Sequence, residues 1–483
     1  MRPFTPLPDW IYSWLYVLVP LAVWAVLYAG FSFNGLYGQD AHAYFQYSRA
    51  LADWMQGGEF PGKFFWPVMY PLYGAGLSVL LGKGPLALQA VSVFALVGSA
   101  FLIRAVLRRV WPEKQKWASG FVLIFLLGAP YVLRGSMQVM SDVLTLFFIC
   151  LFGYATVRYQ REAVLQWLVL AAFAATSAVM TRYAAGVVLL VPVVGIGIQV
   201  VSGKKWGQAL AALGVVAVVL SPHVFMHGQG SFEFLGHEWL KAWNPANLFR
   251  RTFTNTDGTL SYPFPNLVYG FFTLVHPGYF FPGLVLIFFL KKEDFTGKEI
   301  RIAWAAWVIY GVFLAGIPNQ NSRFLLLAYT AVLMGMYPAF VRAMEALKPR
   351  WVRNALLLVA LSVQGGMFVR AIQPFVAFSH LEQTAAAALK NQPPATVYTF
   401  YLDGALTSYH VPQTVVNLWA DSAGAAQPGD LVLFHPTRFQ AQWEGKPLLA
   451  RWEDLRKRFL LEEIQALPQG WMLYRLGQKN PSP

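Results

Sequence analysis

Long apolar stretches alternate with short polar ones over the first three-quarters of the chain. Eleven of them, roughly residues 10–30, 86–108, 117–133, 142–158, 164–180, 184–200, 206–226, 267–290, 301–317, 324–341 and 354–373, approach the length a helix needs to cross a bilayer. The pattern predicts a polytopic α-helical membrane protein with about 11 transmembrane helices. Between 31 and 85 the pattern changes. Tyr44, Tyr47, Leu51 and Trp54 recur at helical spacing with His42, Gln46, Arg49 and Asp53 between them, which predicts an amphipathic helix lying in the membrane interface. Gly57–Lys63 follows as a turn-rich break. The apolar run that ends at Leu81 is interrupted by Gly74 and Gly76 and fits a juxtamembrane or re-entrant helix better than a span.

Two further stretches break the alternation. The loop at about 227–266 carries Glu233, His237, Glu238 and Asp257, close to His223 and His227, together with Trp239, Trp243 and Phe249. So many large aromatics predict an ordered loop. From 374 onward the composition shifts. Val397–Tyr401, Thr414–Leu418, Asp430–Phe434, Leu460–Leu467 and Gly470–Leu476 are expected as strands, and Lys446–Phe459 as a helix. The expected division is a transmembrane domain over 1–373 and a small α/β domain within 374–483.

Composition agrees with the membrane reading: 57% of the 483 residues are hydrophobic and only 12% charged, with mean hydropathy +0.45. The net charge of +14 follows from where the basic residues sit, and nucleic acid is not an expected partner. Arg104, Arg108, Arg109, Lys114 and Lys116 share one loop. Arg158 and Arg161, Lys204 and Lys205, Lys291 to Arg301, and Arg342 to Arg353 occupy the alternate loops that follow. All fall on one side, which the positive-inside rule makes the cytoplasm. The N-terminus is then cytoplasmic, and the 31–85 loop, the 227–266 loop and the tail lie on the outer face. The lone cysteine, Cys150, sits in an apolar run, so the chain has no internal disulfide and no cysteine metal cluster.

Candidate chemistry begins at Asp40, just after the first span. A carboxylate beside lipid is costly. It either caps the helix that follows, accepting backbone N–H bonds, or does chemistry at the membrane surface. Asp142, at the start of the fourth span, is open to the same two readings. Arg182, in the link Thr181–Tyr183, and Arg323, at the end of the link from Ile317, fit either arginines snorkelling to lipid phosphates or binding groups in a site. The charge-derived topology puts all four at one membrane face. Arginine grips phosphate oxygens bidentately and a carboxylate can take a proton from an attacking hydroxyl, so the set suits an anionic lipid substrate.

The stretch Tyr37–Trp54, with Asp40 early, a tyrosine soon after and an Arg49-Ala50 pair, resembles the first outer loop of the GT-C glycosyltransferases. These use polyprenyl- or dolichyl-phosphate sugars and include protein O-mannosyltransferases and the lipid A aminoarabinose transferase. Pro67-Val-Met-Tyr-Pro-Leu-Tyr73 resembles their Pro-Pro-Leu-Tyr segment, Ser136–Asp142 their second outer acidic position, and Thr181–Gly186 and Ser322–Phe324 other family segments. The likeness is scattered over about 20–345. It departs at Ala41, where the family often has a second acid; His42 and Asp142 are the candidates to replace it, although His42 fits equally as a polar residue of the interfacial helix.

The resemblance implies a membrane glycosyltransferase that moves a sugar from a polyprenyl-phosphate donor to a hydroxyl of a lipid, glycan or protein acceptor, at the outer face of what family analogy suggests is a bacterial inner membrane. Asp40 would be the general base, and inversion would follow. Arg182, Arg323 and Lys63 would stabilise the departing phosphate, with His42 and Tyr70 as further substrate contacts. Asp142 would orient the acceptor or, with Asp40, hold a divalent cation, the one cofactor left open. The alternative is a transporter or flippase for a lipid-linked or anionic solute, which intramembrane charges and many Gly and Pro residues also suit.

Overall fold

The computed structural model describes residues 8–230, 238–255, 258–421 and 423–480, so Glu233, His237 and Asp257 lie outside the described residues. Among the described residues seven helices are long and apolar enough to cross a membrane: α1 (Asp9–Phe31), α4 (Pro85–Val110), α6 (Asp142–Glu162), α8 (Ala185–Ser202), α9 (Trp206–His227), the run Ser322–Ala346 that ends in α11 (Tyr329–Ala346), and α12 (Arg350–Lys390). An eighth is the run Pro112–Leu127 with α5 (Pro130–Ser136), bent by 70° between them. The protein is an integral membrane protein. The expected spans near 164–180 and 301–317 are α7 (Leu165–Thr181) and α10 (Lys298–Ala315).

The stretch expected as one span over 267–290 is instead a series of short helices, Asn266–Gly270, Phe272–Val275 and Gly283–Ile287. Pro277 and Pro282 supply no backbone donor. The expected span at 117–133 is also interrupted, by a π-turn at Leu123–Leu127 and the Gly128-Ala-Pro130 sequence. Carbonyls freed at such breaks need partners inside a bilayer. Gln364 Nε2 reaches the Ile124 carbonyl at 3.1 Å. The Tyr329 hydroxyl meets the carbonyls of Phe125 and Tyr279, and Tyr131 N donates to Gly278 O at 2.8 Å. The two broken spans are thus stitched to each other.

The basic clusters gather at one end of the bundle, where Arg108 pairs with Asp9, Arg342 with Asp294, and Lys116 with Glu345. At the other end lie α2 (Gly38–Met55) and α3 (Met69–Leu81). α2 is amphipathic in an unexpected sense. Ala41, Tyr44, Phe45 and Ser48 are buried, and Tyr44 packs on Tyr70 of α3. The polar residues expected to face the interface instead meet the tail: Gln46 Nε2 donates to Gly404 O and Ser408 Oγ at 2.8 and 2.9 Å, and Arg49 lies 2.6 Å from His410.

α12 is 41 residues long, about 60 Å at the α-helical rise and twice the hydrocarbon thickness. The division expected at 373 falls inside it. Thr384–Lys390, with four consecutive alanines, keeps it helical well past Pro374. The tail has its own core around a five-stranded sheet of order β4-β3-β5-β7-β6. Here β3 is Thr396–Thr399, β4 Thr414–Asn417, β5 Leu431–Phe434, β6 Phe459–Ala466 and β7 Met472–Lys479, with α13 (Asp403–Ser408), α14 (Pro436–Trp443) and α15 (Pro447–Arg458) in the connections. β3 runs parallel to β4 and β5, while β7 is antiparallel to β5 and β6. Among the described residues two further strands, β1 (Thr252–Asn255) and β2 (Gly258–Ser261), pair antiparallel in the loop after α9. That loop is ordered over 238–255, with Trp243 Nε1 on Phe313 O at 3.0 Å.

Candidate active site

Two turns carry the carboxylates, and local bonds hold them together. Gly35 O accepts from Val139 N at 2.9 Å, and the Tyr44 hydroxyl lies 3.1 Å from Ser141 Oγ. Asp40, in the first turn of α2, and Asp142, the first residue of α6, are thereby brought to one place. Among the described residues no backbone N–H of α2 or α6 is found bonded to either carboxylate. Each carboxylate meets an arginine instead. Arg323 Nη2 is 2.5 Å from Asp40 Oδ2. Arg182, in extended conformation at the end of α7, pairs with Asp142 Oδ1.

The two pairs are joined. The guanidinium of Arg182 lies 4.9 Å and that of Arg323 5.7 Å from the Phe324 ring centre. Arg323 Nη1 also reaches Met140 Sδ at 3.2 Å. The Asp142 side chain is 3% exposed and that of Asp40 29%, so Asp40 is the carboxylate an incoming molecule meets. Its Oδ1 has no hydrogen-bond partner among the described residues. Burial pushes the Tyr37 phenol beside these groups up to about 12, against the pull of Arg323 and Arg134, and burial likewise raises that of Tyr44. Both stay neutral, and the Tyr44 hydroxyl bonds with Ser141 Oγ.

No family model matches the sequence, and no curated protein is found as a relative. Among solved structures, ArnT from Cupriavidus metallidurans bound to undecaprenyl phosphate matches with a TM-score of 0.61 at 14% identity, over 97% of this chain and 98% of that one. Its apo form matches with a TM-score of 0.60 over the same shares. This chain has the GT-C fold. The match spans bundle and tail alike, covering 97% of this chain.

Within the GT-C bundle, the other expected contacts do not join the paired charges. His42 is fully buried on the opposite face of α2, with Nε2 3.1 Å from Glu382 Oε2 and its ring against Tyr409. It replaces no second acid beside Asp40. Tyr70 is buried one layer behind Tyr44, its hydroxyl held by Leu88 O and Ser92 Oγ at 3.0 Å each. Lys63 is exposed on the segment between α2 and α3 and makes no ion pair with either aspartate. Among the described residues no three His, Cys, Asp or Glu side chains converge on a cation position.

One site residue was not anticipated. Arg134, near the end of α5, is 7% exposed. Its guanidinium lies 4.4 Å from the Tyr131 ring centre and 4.8 Å from that of Phe375. Nη2 donates to Ser322 Oγ at 3.3 Å, next to Arg323. It has no carboxylate partner among the described residues, and its Nε is buried without a partner. The sequence signal is a single arginine within the mainly apolar run Tyr131–Met140. Three guanidiniums and two carboxylates leave the cluster one positive charge in excess.

Proposed function

We propose that this protein is a glycosyltransferase that moves a sugar from a polyprenyl-phosphate donor to an acceptor hydroxyl at the end of the bundle opposite its basic clusters. The observation that carries the reading is the pairing of Asp40 with Arg323 at the mouth of a cluster with net positive charge. ArnT of the same fold is known bound to undecaprenyl phosphate, a lipid anion of the kind such a cluster would accept. The transporter alternative calls for charges near the bilayer midplane, whereas these stand at helix ends.

In this reading the acceptor hydroxyl approaches Oδ1 of Asp40, which takes its proton as the acceptor oxygen bonds to the anomeric carbon. The bond from that carbon to the phosphate oxygen breaks, and polyprenyl phosphate leaves on the opposite side, so the sugar inverts. Arg323, Arg182 and Arg134 stabilise the charge that builds on the phosphate. Lys63 contacts the donor from the exposed segment beside Phe64, which packs on Tyr44 and Tyr47. His42 and Tyr70 act indirectly, by fixing α2 and Tyr44. Asp142 keeps Arg182 in place. With both carboxylates facing guanidiniums, no step passes through a divalent cation. The basic end lies in the cytoplasm and the site on the periplasmic side of a bacterial inner membrane.

The test is Asp40→Asn in the full chain, purified with native lipids and supplied with undecaprenyl-phosphate sugars, following release of undecaprenyl phosphate by mass spectrometry. We expect the rate to fall by about 10²–10⁴-fold with unchanged membrane insertion. Full activity in that variant would remove Asp40 from the reaction.

A further inference from the structure

α2 begins without a cap of its own. Tyr37 precedes it in extended conformation and makes no side-chain bond to it, and Gly38 enters at φ +62°, a left-handed value that glycine tolerates best. The first N–H groups of a helix require acceptors. The acceptor comes from elsewhere in the chain. Glu382 of α12 takes the Gly38 N–H on Oε1 at 2.8 Å and meets His42 Nε2 with Oε2 at 3.1 Å. The side chains of His42 and Glu382 are both fully buried.

We propose that Glu382 is a positioning residue for the reaction: it caps α2 from the long tail helix and so fixes Asp40, two residues from Gly38, against Arg323. A carboxylate at a helix N-terminus is favoured by the helix dipole as well as by the hydrogen bond. A fully buried carboxylate is kept only where its hydrogen bonds are made, and here both oxygens have partners. The second bond runs to His42, one turn further along the same helix, so Glu382 fixes the rotation of α2 about its axis as well as its start. Asp40 lies between those two anchored residues, on the face turned to Arg323. A small angular error there would move Oδ1 away from the acceptor, while the arginines that hold the phosphate sit on other elements.

The inference rests on Asp40 as the base, and the test separates the two. In Glu382→Ala, the α2 amides at 38–42 should exchange with deuterium about fivefold faster, the size of a lost cap. The kcat for undecaprenyl-phosphate sugar should fall by about tenfold or more, with the Kd for undecaprenyl phosphate unchanged. Glu382→Gln, which keeps an acceptor for Gly38 N, should restore most of both the exchange protection and kcat. In an Asp40→Asn background, Glu382→Ala should cause no further loss. Normal exchange in Glu382→Ala, or faster exchange with unchanged kcat while Asp40→Asn is inactive, overturns the proposal. If Asp40→Asn is fully active, the base assignment falls, and the exchange arm alone decides whether Glu382 caps α2.

Discussion

A guanidinium buried without a carboxylate beside it is costly to keep. Arg134 is in that position, held between two rings and a serine hydroxyl. An anion arriving in the cluster would supply the missing charge. Arg134→Ala should therefore lower kcat/KM for the lipid-phosphate donor by about 10- to 100-fold, or about 1.4–2.8 kcal/mol, mostly through KM. Arg134→Lys should recover only part, because an ammonium lacks the planar fork and stacks less well. Steady-state kinetics over a range of donor concentrations checks both. Asp40, Asp142, Arg182 and Arg323 were legible in the sequence because each stands alone beside an apolar run. Arg134 was not, since the expected span at 117–133 placed it just outside the membrane, as the first residue of a loop.

That misplacement belongs to the element that carries it. The break at Gly128-Ala-Pro130 turns α5 back into the protein, and periodicity does not report a π-turn, because five residues of it are as apolar as the helix on either side. The structure shows what makes the break tolerable: Gln364 and Tyr329 supply donors to the freed carbonyls. Gln364→Leu fills the space with carbon and leaves the Ile124 carbonyl unpaired, which should destabilise the bundle by about 1–3 kcal/mol. Thermal unfolding in detergent would register this as a lower Tm. Unchanged Tm would mean that the carbonyl finds another donor. The short strands of the tail were easier to anticipate, being apolar, β-branched runs between turn residues, as in Thr396-Val-Tyr-Thr399.

For the whole molecule, what the sequence concealed is how the tail meets the bundle. The stripe Gln39, His42, Gln46 and Arg49 is as well suited to water as to a protein partner, and only the fold reveals Asp403, Glu382, Gly404, Ser408 and His410 opposite it. Gly404 marks the closest approach: a Cβ there would sit 3.3 Å from His42 Cβ. Gly404→Trp should wedge α13 away from α2, with turnover falling by about tenfold or more and the link at 391–395 becoming more open to protease. Limited proteolysis alongside the transfer assay checks this. Turnover equal to that of the unaltered protein would make the tail a bystander.

The Glu382 cap also has a consequence in time. Its partner Gly38 lies 344 positions earlier in the chain. At about 5–20 residues per second, the ribosome takes roughly 20–70 s to go from one to the other. Throughout that interval the Gly38 N–H has no Glu382 carboxylate to bond to. A newborn chain therefore cannot finish its reaction centre from the N-terminal side, and a protein truncated just before Glu382 is expected to insert its early helices yet turn over lipid-linked sugars at least about tenfold more slowly.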